Sequence, residues 1–195
     1  MNPNNRLQKM VLAALMAALT AAGAYMVIPI GPVPIVLQNL FVLLSGLLLG
    51  SRWAAASMGI YLLGGVLGLP IFAGGSGGLA KLIGPTGGYL VGFPLAAFVI
   101  GLVAERSRGR LWLNLTGLVA GSLIIYLCGV TWLKVVLGIS AFKALAMGMI
   151  PFLPGDALKI GAALFLDRVL APLVEGRGGP TTYHAWPPEP YEEDA

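Results

Sequence analysis

The chain has 195 residues, of which 57% are hydrophobic and 10% are charged, whereas about a quarter of the residues in soluble domains are charged. This composition predicts an all-α integral membrane protein of one domain, surrounded by the lipid bilayer. The net charge of +4 is spread over short segments, so we expect no nucleic-acid partner. The single cysteine excludes an intrachain disulfide.

Charges and prolines divide the chain into six predicted transmembrane helices. The apolar stretch between Lys9 and Arg52 is too long for one span of about 20 residues. It is interrupted by the first loop (residues 31–34, GPVP), because proline lacks the donor that a continuing helix needs. Residues 131–152 are expected to be irregular, with a short interfacial helix. The six helices are expected at residues 7–28, 35–49, 53–69, 87–104, 112–130 and, starting at 154 or 155, up to 174.

The basic residues predict that both termini are cytoplasmic. Four lysines (Lys81, Lys134, Lys143 and Lys159) belong to one side of the predicted topology, and the other eight of the 12 basic residues belong to the side of the termini. We interpret Lys81 as an interfacial anchor. Residues 1–179 form the predicted six-helix membrane domain. Residues 180–195, rich in proline and acids, are expected to be a disordered cytoplasmic tail, and the lone histidine there predicts no metal site.

Asp156 and Lys159 stand out because they lie three residues apart at the start of an apolar helix. Charged side chains are costly within a membrane and indicate a functional site there. Alternatively, Asp156 caps the helix and Lys159 is its neighbour one turn later. Gln38 lies on the same side of the predicted topology, as a ligand contact or as a partner of a neighbouring helix. Tyr89 is the last residue of the glycine-rich loop (residues 72–89) and is either a ligand contact or an interfacial aromatic.

Other motifs limit the function further. The sequence contains no HExxH or GxSxG motif and no acidic cluster, which argues against a membrane-embedded enzyme. It contains no nucleotide-binding or cofactor motif, so any ATP must be hydrolysed by another chain. In the first helix, small residues repeat at a spacing of four, which lets another helix pack closely. These residues are Ala13, Ala14, Ala17 and Ala18. The glycine pairs Gly46–Gly50 and Gly117–Gly121 have the same spacing, which we attribute to packing inside the protein.

Four segments carry a family resemblance: PIVLQ at 34–38, GGVLGLPIFAGG at 64–75, GPTGGYLVGF at 84–93 and PFLPGDALK at 151–159. They resemble the BioY family, the biotin-binding S components of energy-coupling factor (ECF) transporters. The resemblance runs from the first to the sixth predicted helix and leaves out only the tail. It implies a multi-pass protein of a prokaryotic plasma membrane, with an ECF S-component fold that binds biotin near the outer face.

The resemblance also implies roles for individual residues. Asp156 is expected to accept a hydrogen bond from a ureido N–H of biotin, and Lys159 to meet its carbonyl or its carboxylate. Gln38 and Tyr89 are expected as secondary contacts, and Phe72 is expected to pack on the thiophane ring.

The partners implied by the resemblance are a transmembrane coupling subunit and a pair of ATPase subunits, while the chain itself is not an enzyme. Either Ala13 and Ala17, or Ala14 and Ala18, would dock the coupling subunit. One alternative is an S component for another vitamin. The other is a solitary secondary carrier that couples protonation of Asp156 to biotin transport, although the inverted repeat typical of many carriers is not apparent.

Overall fold

The computed structural model describes residues 3–29, 32–107 and 109–175, and this part of the chain is mainly helical. Two short strands, β1 (Val27–Ile28) and β2 (Ile35–Val36), pair as an antiparallel hairpin. A 3₁₀ turn (Ile150–Phe152) precedes the last helix. The α-helices are α1 (Pro3–Tyr25), α2 (Gln38–Leu49), α3 (Ser51–Val66), α4 (Leu79–Ile83), α5 (Gly87–Ser107), α6 (Leu111–Leu137), α7 (Ala141–Gly148) and α8 (Leu153–Glu175).

Three of the described helices are long and apolar enough to cross a membrane by length and composition, namely α1 from Arg6, α5 and α6. α2 has only 12 residues and α3 only 16. α8 has 23 residues but carries charged side chains along its length. The helical architecture of a membrane protein is therefore confirmed, whereas six spans and cytoplasmic termini stay predictions. The predicted tail, residues 180–195, lies outside the described residues.

The predicted helix ends were wrong around two loops. α6 extends to Leu137, seven residues past the predicted end at 130, and stops where Gly138 adopts a left-handed φ of 63°. Residues 131–152 therefore contain the last turns of α6, then α7 and the 3₁₀ turn. α1 ends at Tyr25 instead of continuing to residue 28, because the chain turns there into the hairpin.

The centre of the bundle is built on close helix contacts at glycines. α5 packs against α2, α3 and α6, and Ile100 in α5 is fully buried. A Cβ atom at Gly46 of α2 would lie 2.6 Å from the Ile100 side chain, and one at Gly121 of α6 would lie 2.4 Å from it. Both glycines thus let a neighbouring helix approach α5 closely, which confirms that they serve internal packing.

Contacts at one end of the bundle bring the described chain ends together. The Gln8 side-chain amide in α1 donates to the Val174 carbonyl oxygen in α8 at 3.0 Å. At α3, the backbone N–H and the hydroxyl of Ser51 both donate to Glu105 Oε1, at 2.7 and 2.9 Å. A carboxylate at a helix amino terminus is favourable because N–H groups with positive partial charge are exposed there. Glu105 thereby ties the end of α5 to the start of α3.

Candidate functional site

A cavity of about 150 Å³ lies where the hairpin, the glycine-rich loop and the start of α8 meet. One water molecule needs only ~10–15 Å³ by the same measure, so this cavity has room for more than isolated waters. It is covered from one side by the hairpin and by the loop, which lie at the opposite end of the bundle from the chain termini. The polar and aromatic residues of its wall include Gln38, Asn39, Phe72, Tyr89, Tyr126 and Lys159, with Lys81 also contributing.

The predicted pair of charges is joined in a buried network at this cavity. Lys159 Nζ lies 2.9 Å from Asp156 Oδ1, and about 10% of each side chain is exposed. The Tyr126 hydroxyl donates to the other carboxylate oxygen, Oδ2. A buried ion pair is tolerated when additional hydrogen bonds satisfy its charges, and Tyr126 supplies one. The network joins two turns of α8 to the middle of α6.

Gln38 is the first residue of α2, is buried and lines the cavity. Its carbonyl oxygen Oε1 accepts a hydrogen bond from the Tyr61 hydroxyl at 3.1 Å. The two N–H groups of the same amide can then donate to an acceptor on a bound molecule. The Tyr61 hydroxyl also lies 3.1 Å from the Ile71 carbonyl oxygen at the start of the loop region. Tyr61 was not predicted as a site residue, because the residues next to it in α3 are apolar and give no indication of a polar site.

Tyr89 is held rigidly in the cavity wall. Its hydroxyl donates to the Gly148 carbonyl oxygen at 2.8 Å. Its ring lies against Gly129, where an added Cβ would come within 2.2 Å of the ring, and a Cβ at Gly148 would come within 2.3 Å of the hydroxyl oxygen. Tyr89 is only 8% exposed, so it is a buried wall residue and not an interfacial aromatic.

Phe72 supplies an apolar surface of the cavity. It is 1% exposed, and its ring makes an edge-to-face contact with Tyr61 at a centroid distance of 5.5 Å. The Phe72 backbone N–H donates to the Ser76 carbonyl oxygen at 2.8 Å, which closes a tight turn. Gly65 of α3 makes room for the ring, since a Cβ there would lie 2.1 Å from it.

Lys81 and Tyr126 are further residues of the cavity wall that were not predicted from the sequence. Lys81, which we interpreted as an interfacial anchor, lies in α4 and lines the cavity while remaining exposed. The glycine-rich loop that carries it is fixed to α6, because Trp132 Nε1 donates to the Gly84 carbonyl oxygen at 3.0 Å. Tyr126 was the second, and its only sequence signal is a hydroxyl in an otherwise apolar segment of α6.

The structure separates the two alanine pairs of α1. Ala13 and Ala17 are buried, at 2% and 8% exposure, and the Ser57 hydroxyl of α3 donates to the Ala13 carbonyl oxygen at 2.6 Å. Ala14 and Ala18 are exposed on the outer face of the helix. The buried pair therefore packs within the bundle, and only the Ala14–Ala18 pair is accessible to another chain.

Residues 1–176 match the sequence model of the BioY family. The chain belongs to the BioY family. Over 159 residues it is 44% identical to the probable biotin transporter BioY of Pyrococcus horikoshii, with 82% of this chain and 93% of the relative covered. Over 160 residues it is 42% identical to the biotin transporter BioY of Thermotoga maritima, with 82% and 94% covered.

The fold of this BioY-family chain is also that of a solved protein. It matches the crystal structure of the S-component for biotin from an ECF-type ABC transporter, with a TM-score of 0.82 and 30% sequence identity. The match covers 92% of this chain and 96% of the solved chain. The family resemblance drawn from the four sequence segments is thereby confirmed, along with a fold like that of an S-component.

Proposed function

We propose that this chain is the biotin-specific S component of an ECF-type vitamin uptake transporter. It captures biotin in the cavity and performs no catalysis itself. The observation that carries the proposal is the buried Lys159–Asp156–Tyr126 network at a small-molecule cavity. All described residues of the chain lie within the BioY match. Relatives bearing the name biotin transporter support the choice of ligand.

The donors and acceptors of biotin suit the cavity. Its ureido ring has two N–H donors and one carbonyl acceptor, and we place this ring at the inner end, where the Asp156–Lys159 pair is buried. Gln38 and Tyr89 flank the bound molecule, and Phe72 packs against the thiophane ring. An analogue without the ureido groups would leave buried polar groups unpaired, which gives the site its selectivity.

Lys81 is the residue that we propose to bind the carboxylate of biotin. The charge of Lys159 is neutralised by Asp156 at 2.9 Å, so Lys159 has less net attraction left for a second anion. Lys81 has no ion-pair partner among the described residues and lines the cavity from its exposed side. We therefore orient biotin with its ureido ring inward and its valerate towards the glycine-rich loop.

The sequence contains no nucleotide-binding motif, so in an ECF-type transporter ATP would be hydrolysed by partner chains. We propose that Ala14 and Ala18 dock a transmembrane coupling subunit, which two ATPase subunits drive. α1, α2, α3, α5, α6 and α8 would be the six spans of a multi-pass protein in a prokaryotic plasma membrane. Both termini would then be cytoplasmic and the biotin cavity would open outward, as the basic residues predict.

The direct test is equilibrium binding of tritiated biotin to the purified chain. We expect saturable binding by the wild type and a loss of at least about tenfold in affinity for Asp156→Asn, since a hydrogen bond to a charged group contributes about 1.5–3 kcal/mol. Asp167→Asn is the matched control, because Asp167 is a second buried acid of α8 that lies about 16 Å further along the helix. It should bind biotin like the wild type.

Absence of biotin binding by the wild type would contradict the proposal. Displacement of biotin by a comparable concentration of riboflavin or thiamine would favour an S component for another vitamin. Biotin uptake in cells should require the coupling and ATPase subunits. Equal uptake without them would indicate the solitary carrier.

A further inference from the structure

We propose that a groove on the outside of the bundle binds an anionic phospholipid, with one acyl chain lying in the groove and the phosphate group at Lys134. The groove runs between α6 and α7 and has a volume of about 560 Å³, against about 150 Å³ for the cavity described above. This lipid site goes beyond the proposed function and does not depend on which small molecule the cavity binds.

The wall of the groove is mainly apolar and open to the surroundings of the bundle. α6 contributes Leu123, Leu127 and Val130, and the other side is formed by Leu145 of α7 and by Met149. Leu127 is 70% exposed, so the described part of the chain leaves this face uncovered. Because α6 is long and apolar enough to cross a membrane, the uncovered face would lie against lipid hydrocarbon. An acyl chain matches it in chemistry.

The length of the groove corresponds to one leaflet of a bilayer. Its α6 side extends from Leu123 to Lys134, which at 1.5 Å per residue is about 16 Å. Half of the hydrocarbon core of a bilayer is about 15 Å thick. With Leu123 near the middle of the membrane, Lys134 therefore reaches the level of the lipid headgroups. A single acyl chain would span the groove from end to end.

The headgroup end of the groove carries a positive charge and a hydroxyl. Lys134 and Thr131 line the groove one helical turn apart, and both are exposed. Among the described residues, Lys134 forms no ion pair and no acidic side chain lines the groove. An ammonium group and a hydroxyl both donate hydrogen bonds to phosphate oxygens, and lysines at a membrane surface attract anionic lipids. The net charge at this end favours an anionic headgroup over a zwitterionic one.

Two other roles of Lys134 lead to a different expectation. A lysine in the last turn of a helix interacts favourably with the helix dipole, and a long lysine side chain near a membrane surface extends to water by itself. Neither role involves the groove, and neither separates anionic from zwitterionic lipids. Lipid selectivity therefore distinguishes the proposed site from both.

The test of the headgroup contact is lipid retention by the purified full chain, measured by native mass spectrometry. The chain is incubated with equal amounts of phosphatidylglycerol and phosphatidylcholine that carry identical acyl chains. We expect the wild type to retain phosphatidylglycerol about fivefold better, as one lysine near a membrane surface provides, and Lys134→Gln to lose most of this preference. Lys143→Gln is the matched control and should keep it, because Lys143 is an exposed lysine of α7 outside the groove.

The test of the acyl-chain contact fills the groove with a larger side chain. Leu127→Trp should reduce retention of both lipids, and Leu123→Trp should do the same at the other end of the groove. Leu95→Trp is the matched control, because Leu95 is an exposed leucine of α5 that does not line the groove, and it should retain lipid like the wild type. Circular dichroism and thermal unfolding in detergent verify that each variant is folded.

Every outcome bears on the lipid site alone, because none of these measurements contains biotin. Equal retention of the two lipids by the wild type would overturn the proposal and leave Lys134 with its role at the helix end. A preference that persists in Lys134→Gln would place the anionic lipid elsewhere on the surface and overturn it as well. Undiminished retention by both folded tryptophan variants of α6 would show that no acyl chain occupies the groove.

Discussion

Two lysines at one cavity have different environments, which suit them to the different roles proposed above. Lys159 is 8% exposed and is neutralised by Asp156, so its contribution is directional hydrogen bonding. Lys81 is exposed and free of an ion-pair partner within the described part of the chain, so its contribution is net positive charge. The first lysine suits the neutral ureido ring, and the second suits an anionic carboxylate.

This division predicts the behaviour of Lys81→Ala. We expect its affinity for biotin to fall by about two- to fivefold, because an ion pair of an exposed lysine contributes only about 0.2–1 kcal/mol. Biotin methyl ester, which has no charge, should bind this variant and the wild type equally. The measurement is competition of each compound against tritiated biotin, at low and high salt, and salt should reduce the difference.

Lys143→Ala is the control for this prediction. Lys143 is an exposed lysine of α7 that does not line the cavity, so its removal lowers the local charge without touching the site. Equal weakening of biotin by the two variants would mean that Lys81 acts only through long-range attraction. An equal loss for the ester would mean that Lys81 shapes the loop and does not bind the carboxylate.

Some of these site residues could be predicted from the sequence and others could not, for physical reasons. Asp156 and Lys159 were detectable because ionised groups are rare and costly in an apolar helix. Tyr126 was not, because a tyrosine in a membrane helix is equally compatible with packing. Lys81 was not, because a lysine beside a loop is equally compatible with anchoring at the interface. Only the three-dimensional arrangement separates these alternatives.

At the level of helices, glycines decide where the aromatic wall of the cavity lies. Tyr89 of α5 packs against Gly129 of α6 and Gly148 of α7. Its hydroxyl donates a hydrogen bond to the Gly148 carbonyl oxygen. The three helices are therefore held together at one side chain. A side chain at position 129 of α6 would clash with the Tyr89 ring, so the ring would have to move.

Gly129→Ala should destabilise the protein and weaken biotin binding. Its Cβ would lie 2.2 Å from Tyr89 Cδ1, and overpacking of this kind costs about 1–3 kcal/mol. Gly59→Ala is the matched control, since a Cβ at Gly59 of α3 meets nothing within 4 Å, and alanine is the better helix former by about 0.5–1 kcal/mol. Thermal unfolding in detergent should place the two variants on opposite sides of the wild type, and only Gly129→Ala should bind biotin more weakly.

A Gly129→Ala protein with unchanged stability and biotin affinity would contradict the close packing of Tyr89 against Gly129. Loss of stability in both variants would instead point to a general intolerance of alanine in these helices.

The positions of the long helices followed from the sequence, and their ends did not. Apolar stretches bounded by charges and prolines located the six main helices. The hairpin was missed because strands of two residues leave no alternation of apolar and polar side chains to detect. The extension of α6 was missed because Lys134 resembles a boundary, although a lysine in the last turn of a helix is favourable.

On the scale of the whole molecule, the cavity proposed to bind biotin and the buried polar contacts between helices occupy opposite ends of the bundle. The cavity is enclosed by the hairpin and the glycine-rich loop. At the other end, the Ser107 hydroxyl donates to Asn114 Oδ1 at 2.6 Å, and Asn114 Nδ2 donates to Asp167 Oδ2 at 3.2 Å. These buried contacts join the end of α5 and the start of α6 to α8.

The exposed small residues of α1 give the corresponding prediction. Ala14→Trp and Ala18→Trp should bind biotin like the wild type, because neither side chain faces the interior, but they should lose assembly with the coupling subunit and biotin uptake. Close helix packing depends on small residues at the contact, and a tryptophan on this face prevents it. Ala56→Trp, at an exposed alanine of α3, is the control and should retain uptake. Normal co-purification and uptake by both α1 variants would exclude this face as the docking surface, whereas loss of biotin binding would show that α1 supports the cavity instead.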